Sequence, residues 1–183
     1  MKYEAMNMKS LAFLLLFGSV PSVFAETLYY IGEAVVTKSD GTITREPYII
    51  ARTSDSAAGT VTEAVVSNSG TGFKENQSVI KVTGSHFTMT ESTGTVTGEG
   101  DLTGEPWKWT FLRAEFKMKT NAYSMRIVDY NFLADPHSIS GHKDSYLTVN
   151  GVPGEKLIQQ EDVVLHPVDK ARFEAERARL LGR

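Results

Sequence analysis

Apolar and polar residues alternate in short runs along most of this chain, and small polar turns separate the runs. A period of two is the mark of a half-buried strand. Residues 28–37 (LYYIGEAVVT) predict a first strand and residues 43–52 a second. Between them Lys38-Ser39-Asp40-Gly41 is a hairpin turn, because Asp-Gly readily takes the positive φ that tight turns need. Pro47 has no amide hydrogen to give to a ladder, so its stretch is expected at an edge, at a bulge or locally irregular. Residues 60–67, 78–83, 86–90 and 95–102 follow as strands; Gly84 either separates two of them or kinks one long strand.

Residues 106–133 are the densest aromatic run and predict a long hairpin. Trp107, Trp109 and Phe111 alternate with Lys108 and Thr110; then the phase flips, and Leu112, Ala114, Phe116 and Met118 become the apolar set. The second arm flips as well, from Tyr123, Met125 and Ile127 to Val128, Tyr130 and Phe132. A one-residue change of phase exchanges the two faces of a strand. Bulges near Phe111/Leu112 and Ile127/Val128 would absorb the change. Strands bent in this way favour a closed or strongly curled sheet over a flat one.

Residues 138–149 and 156–165 predict the last strands, turning at Asn150-Gly151. From Pro167 onward the composition changes to helix formers, with the proline suited to a first helical turn. Phe173, Ala178, Leu180 and Leu181 fall near one face, which is expected to dock on the domain; the basic excess of this segment reads as a solvated face. Nine to ten closely spaced strands without intervening helices exclude a parallel α/β sheet. The expected fold is all-β: an antiparallel meander barrel over residues 26–166, closed by a C-terminal α-helix over 167–183, with a two-sheet β-sandwich as the alternative.

The first 25 residues stand apart. Lys9, the apolar run 11–20 and Val23-Phe24-Ala25 have the order of a secretory signal peptide, with cleavage expected before Glu26. The expected location is therefore periplasmic or extracellular. The 183 residues include no cysteine, so an exported chain must hold itself together by its core alone, and thiolate chemistry is excluded. Net charge is −3; removing Lys2, Lys9 and Glu4 with the leader makes it −4, which gives no general attraction to nucleic acid. No segment beyond the leader is long and apolar enough to cross a bilayer as a helix, so stable membrane insertion is not expected. Oligomeric state is not legible in the sequence.

The leader, the meander of short strands with hairpin turns and the closing helix together make the chain resemble a small exported lipocalin-like (calycin) barrel protein. The resemblance implies a central cavity for a small, mostly apolar ligand.

Candidate chemistry is sparse. The aromatic hairpin supplies the candidate ligand wall: Trp107, Trp109, Phe111, Tyr123 and Tyr130, with Arg126 pointing inward near the second phase flip to meet a ligand carboxylate. An ordinary aromatic core with Arg126 in solvent is the competing reading. His137, His142 and Asp144 are weak metal candidates, because imidazole and carboxylate suit a divalent ion, but their spacing matches no known catalytic or structural site. His86 and His166 stand alone. No Gly-x-Ser-x-Gly elbow, dinucleotide fingerprint or calcium loop is present, so no catalytic residue and no cofactor is expected. The expected function is an exported protein that holds an apolar or amphipathic small molecule; an envelope interaction module, or an enzyme using His137, His142 or Asp144, are the alternatives.

Overall fold

Among the described residues the alternation becomes ten strands and one helix. The computed structural model describes residues 25–92, 97–104, 111–119, 123–134, 137–149 and 152–183, with side chains for all of these except those within 103–137 and 148–153. The strands are β1 (Glu26–Lys38), β2 (Ile43–Asp55), β3 (Thr60–Asn68), β4 (Phe73–Thr83), β5 (His86–Glu91), β6 (Thr97–Gly104), β7 (Phe111–Lys119), β8 (Tyr123–Ala134), β9 (His137–Val149) and β10 (Val152–Val168), followed by α1 (Lys170–Leu181). Each strand pairs antiparallel with the next in sequence, and β1 pairs with β10 as well as β2, so the order of pairing returns to its start in one curled, barrel-like sheet. All ten belong to this sheet, which sets the two-sheet sandwich aside.

The turns follow their sequence signals. Gly41 takes φ 84° in the β1–β2 turn, and Asp40 Oδ1 accepts from Thr42 N at 2.9 Å. Gly84 takes φ 62° in a turn that separates β4 from β5, so this stretch is two strands.

Prolines mark where the ladder thins. Pro47 pairs with Glu33 of β1, while pairing of β2 with β3 begins only at Ile49. Pro153 pairs with Thr148 of β9, beyond the end of the β1 ladder, and Pro167 pairs with Tyr30 of β1, beyond the last β9 pair. Each sits where its strand has one bonded neighbour, so its missing N–H removes no second ladder bond. Pro167 therefore lies within β10, one residue before its end at Val168, and does not open the helix. The helix begins three residues later, with Asp169 accepting from Arg172 N at 2.8 Å as the N-cap and Gly182 ending it in the left-handed region at φ 68°.

The predicted bulge at Ile127/Val128 is present: Ile127 stands opposite Lys143 and Asp129 opposite His142, leaving Val128 as the extra residue. On the other edge of β8 the register also shifts, between Ala114 opposite Tyr130 and Phe116 opposite Ile127. The bulge thereby sets Leu112, Ala114, Phe116 and Met118 opposite Phe132, Tyr130, Ile127 and Met125. Phe111 and Leu112 stand in regular register opposite Leu133 and Phe132, and the residues before them, 105–110, on which the expected bulge at Phe111/Leu112 also depends, lie outside the described residues.

Among the described residues apolar clusters form on both sides of the wall, with Phe87 and Met89 packing in a third. Tyr30, Ala34, Val36, Ile50, Ile139, Val163 and Leu165 pack on the concave side. On the convex side Ile49 and Val66 pack with Phe173 and Leu180 of α1, flanked by Tyr29, Ile31, Ala51 and Phe73. The helix therefore docks, as its apolar face predicts, with the Tyr29 and Phe173 rings 5.1 Å apart and Arg177 held by both oxygens of Glu75 on β4, at 3.0 and 2.5 Å. This second layer explains the near-continuous apolar run of β1, since a strand covered on both faces does not alternate.

Candidate ligand cavity

The concave face encloses a cavity of about 620 Å³, within the usual range for small-molecule sites. Its apolar lining includes Val36, Val65, Ile80, Phe87, Met89 and Val163. These residues lie there because the alternation of each strand places every second side chain on one face. The lining continues to Lys38, Ser69 and Gly70, at the end that carries the exposed β1–β2 and β3–β4 turns, so the cavity opens there. Arg52 and Val61, both buried, lie toward the opposite end.

Among the charged side chains that interrupt the apolar lining, four form two directly opposed cross-strand pairs. Arg52 of β2 stands opposite Glu63 of β3, with Nε 3.2 Å from Oε1 and the two side chains 4% and 13% exposed. Lys143 of β9 stands opposite Glu161 of β10 and is ion-paired with it, each side chain 13% exposed. Lys143 Nζ also donates to the Tyr48 hydroxyl at 3.4 Å and lies 4.8 Å from the centre of that ring. Burial pulls the Lys143 ammonium toward losing its proton, but the Tyr48 oxygen and the Glu161 carboxylate more than offset this, and the net direction is upward. Burial pushes the Tyr48 phenol up, so it stays neutral. Burial likewise raises Tyr30, against the opposing charge of Arg52. Lys143 is thereby held protonated and Tyr48 neutral beside the cavity.

Gly32 stands in β1 between Leu165 of β10 and Tyr48 of β2. A Cβ at Gly32 would lie 2.0 Å from the Val164 carbonyl oxygen, so only glycine allows β10 this close approach.

The candidate aromatic wall meets the structure only in part. Trp107 and Trp109 lie outside the described residues, and so do the side chains of Phe111, Tyr123, Arg126 and Tyr130. In backbone register Tyr130 is opposite Gly141, a cavity-lining position, and Tyr123 is opposite Leu147. Phe111 is opposite Leu133, and Arg126 is opposite Lys117 and Asp144.

Among the metal candidates, the His137 side chain lies outside the described residues. His142 and Asp144 are brought together on the positions that alternate with the cavity-lining Gly141, Lys143 and Ser145. His142 Nδ1 bonds Asp162 at 2.7 Å and Nε2 bonds Asp144 at 3.2 Å, while Gln160 donates to Asp144 at 3.0 Å. The hydrogen bond to Asp162 raises the His142 pKa, with the nearby charges of Asp162 and Asp144 adding to it and burial opposing. Both ring nitrogens are thus engaged by carboxylates, and among the described residues no group of three or more His, Cys, Asp or Glu is arranged to hold a metal ion. His86 pairs with Asp101 at 3.3 Å on the exposed surface.

Arg52, Glu63, Lys143 and Glu161 escaped the sequence reading. Their signal was present: each is a charge on the otherwise inward phase of an alternation, as in Tyr48-x-Ile50-x-Arg52 and Val61-x-Glu63-x-Val65. Pairing them required the register. No protein-family model matches this chain, and no curated protein sequence does.

Proposed function

We propose that this protein is an exported small-molecule binding protein that holds an amphipathic ligand in the cavity of a closed, lipocalin-like barrel. The observation that carries the reading is the 620 Å³ cavity with an apolar lining and two opposed ion pairs. Binding sites for small molecules have this composition: a mostly apolar surface with a few fixed polar groups that set orientation. The N-terminal 25 residues, with their leader pattern, support export to the periplasm or beyond. Carriage or sequestration suits a mostly apolar surface interrupted by a few fixed polar groups.

The test is native mass spectrometry of the protein purified after expression of the full 183-residue chain. A reproducible extra mass of a few hundred daltons, lost on denaturation, is the expected result. An apo protein that also takes up no member of a panel of fatty acids, alcohols and amines refutes the carrier reading.

A further inference from the structure

Tyr48 and Lys143 do not meet along a ladder. Tyr48 is on β2 and Lys143 on β9, and β1 and β10 lie between those strands in the sheet. Neighbouring strands are about 4.8 Å apart, so a distance of 3.4 Å from Lys143 Nζ to Tyr48 Oη requires both side chains to stand off the concave face. Both line the cavity, and the Tyr48 hydroxyl is held within it.

The chemistry of that hydroxyl is set by its neighbours. Lys143 donates to its oxygen and is itself anchored by the ion pair with Glu161. Burial raises the pKa of the phenol, so the oxygen keeps its proton. A phenol whose oxygen accepts from an ammonium still has one O–H to give, and among the described residues no acceptor is bonded to it. A buried donor without an acceptor costs free energy, which a ligand oxygen would recover. Lys143 is likewise a donor only. The pair therefore matches a group that only accepts, such as a carbonyl; an alcohol brings a proton of its own that these donors cannot take. The third apolar cluster supplies Ile80, Phe87 and Met89 to the same lining, for the body of such a molecule.

We propose that Tyr48 is the polar anchor for the ligand: its hydroxyl donates to a carbonyl oxygen of an otherwise apolar molecule, and Lys143, fixed by Glu161, orients that hydroxyl. The inference rests on the ligand-binding reading above and names the group that the cavity recognises. One hydrogen bond of this kind changes affinity by about fivefold, and removing a single oxygen atom from Tyr48 isolates it.

The experiment is isothermal titration calorimetry of butyrophenone and butylbenzene, which share one carbon skeleton and differ in the carbonyl. Each is titrated into the parent protein and into Tyr48→Phe, both purified after expression of the full chain. Tyr48→Phe keeps the ring and the Lys143–Glu161 pair. It is expected to weaken butyrophenone about fivefold and to leave butylbenzene unchanged. The NMR resonance of an isotopically labelled butyrophenone carbonyl carbon is expected to lie downfield in the parent complex and to move upfield in the variant, as loss of a hydrogen bond to that oxygen requires. An effect of Tyr48→Phe that is the same for both compounds, or a carbonyl resonance that the substitution does not move, overturns the anchor and leaves the cavity reading standing. Both compounds are small enough for a space of about 620 Å³, so failure of either to bind a folded protein overturns the anchor, and failure of both overturns the cavity reading with it.

Discussion

The ion pair between Lys143 and Glu161 offers a quantitative check on how the cavity is built. Each side chain is 13% exposed, so neither charge is well solvated. Removing one partner from a buried pair costs about 3–5 kcal/mol, mainly because the remaining charge is stranded, whereas replacing both by apolar groups of similar volume is often neutral. Lys143→Met strands Glu161 and should cost about 3 kcal/mol, the low end of that range given the residual exposure. Glu161→Leu leaves Lys143 with the Tyr48 hydroxyl at 3.4 Å and the ring face at 4.8 Å; this partial compensation should reduce the cost to about 2 kcal/mol. The double variant should lie within about 1 kcal/mol of the parent, a coupling of about 4 kcal/mol. Urea unfolding followed by circular dichroism at pH 7 measures all four corners, and for a chain of this size Lys143→Met should lower Tm by roughly 6–12 °C. Strictly additive costs, or single variants within about 0.5 kcal/mol of the parent, would mean that the pair is solvated and the cavity more open than the burial of these groups indicates.

Three further outcomes follow from the packing. Phe173→Ala should cost about 3–5 kcal/mol and release α1, exposing Ile49 and Val66; faster proteolysis within residues 170–181 and increased binding of an apolar dye would report it. Gly32→Ala forces a Cβ against the Val164 carbonyl and should open the β1–β10 seam, read as a loss of about 2 kcal/mol or more in urea and as faster amide exchange along β10. The raised pKa of His142 gives a stability contribution that is fully present below the unfolded histidine pKa, about 6.5, and is lost as pH rises through the folded value. Because Asp162 is 62% exposed, the effect should stay below about 1 kcal/mol, and Asp162→Asn should flatten the urea midpoint between pH 5 and 8.

Much of this architecture was legible along the chain. The hairpin turn at Asp40-Gly41, the strand alternation and the C-terminal helix are set by local backbone preference and by period, which neighbouring residues determine among themselves. The bulge at Val128 was readable for the same reason, because a phase change in an apolar set is a local event. Other features required residues distant in sequence. Pro167 carries a helix-start signal, yet it belongs to β10, because Tyr30 stands across from it and Asp169 offers the better cap.

The sequence by itself determined that this is an antiparallel β-chain with a helix at its end, since turn chemistry and side-chain period act over a few residues. Only the tertiary structure decided which charges are buried and what neutralises them. Arg52 and Glu63 are 11 positions apart, and Lys143 and Glu161 are 18 apart. Each pair meets only because the strand register places its members opposite one another on the concave face. Burial and pairing are properties of that register, and a one-residue slip of any one of these strands would carry its charge to the other face and break the pair.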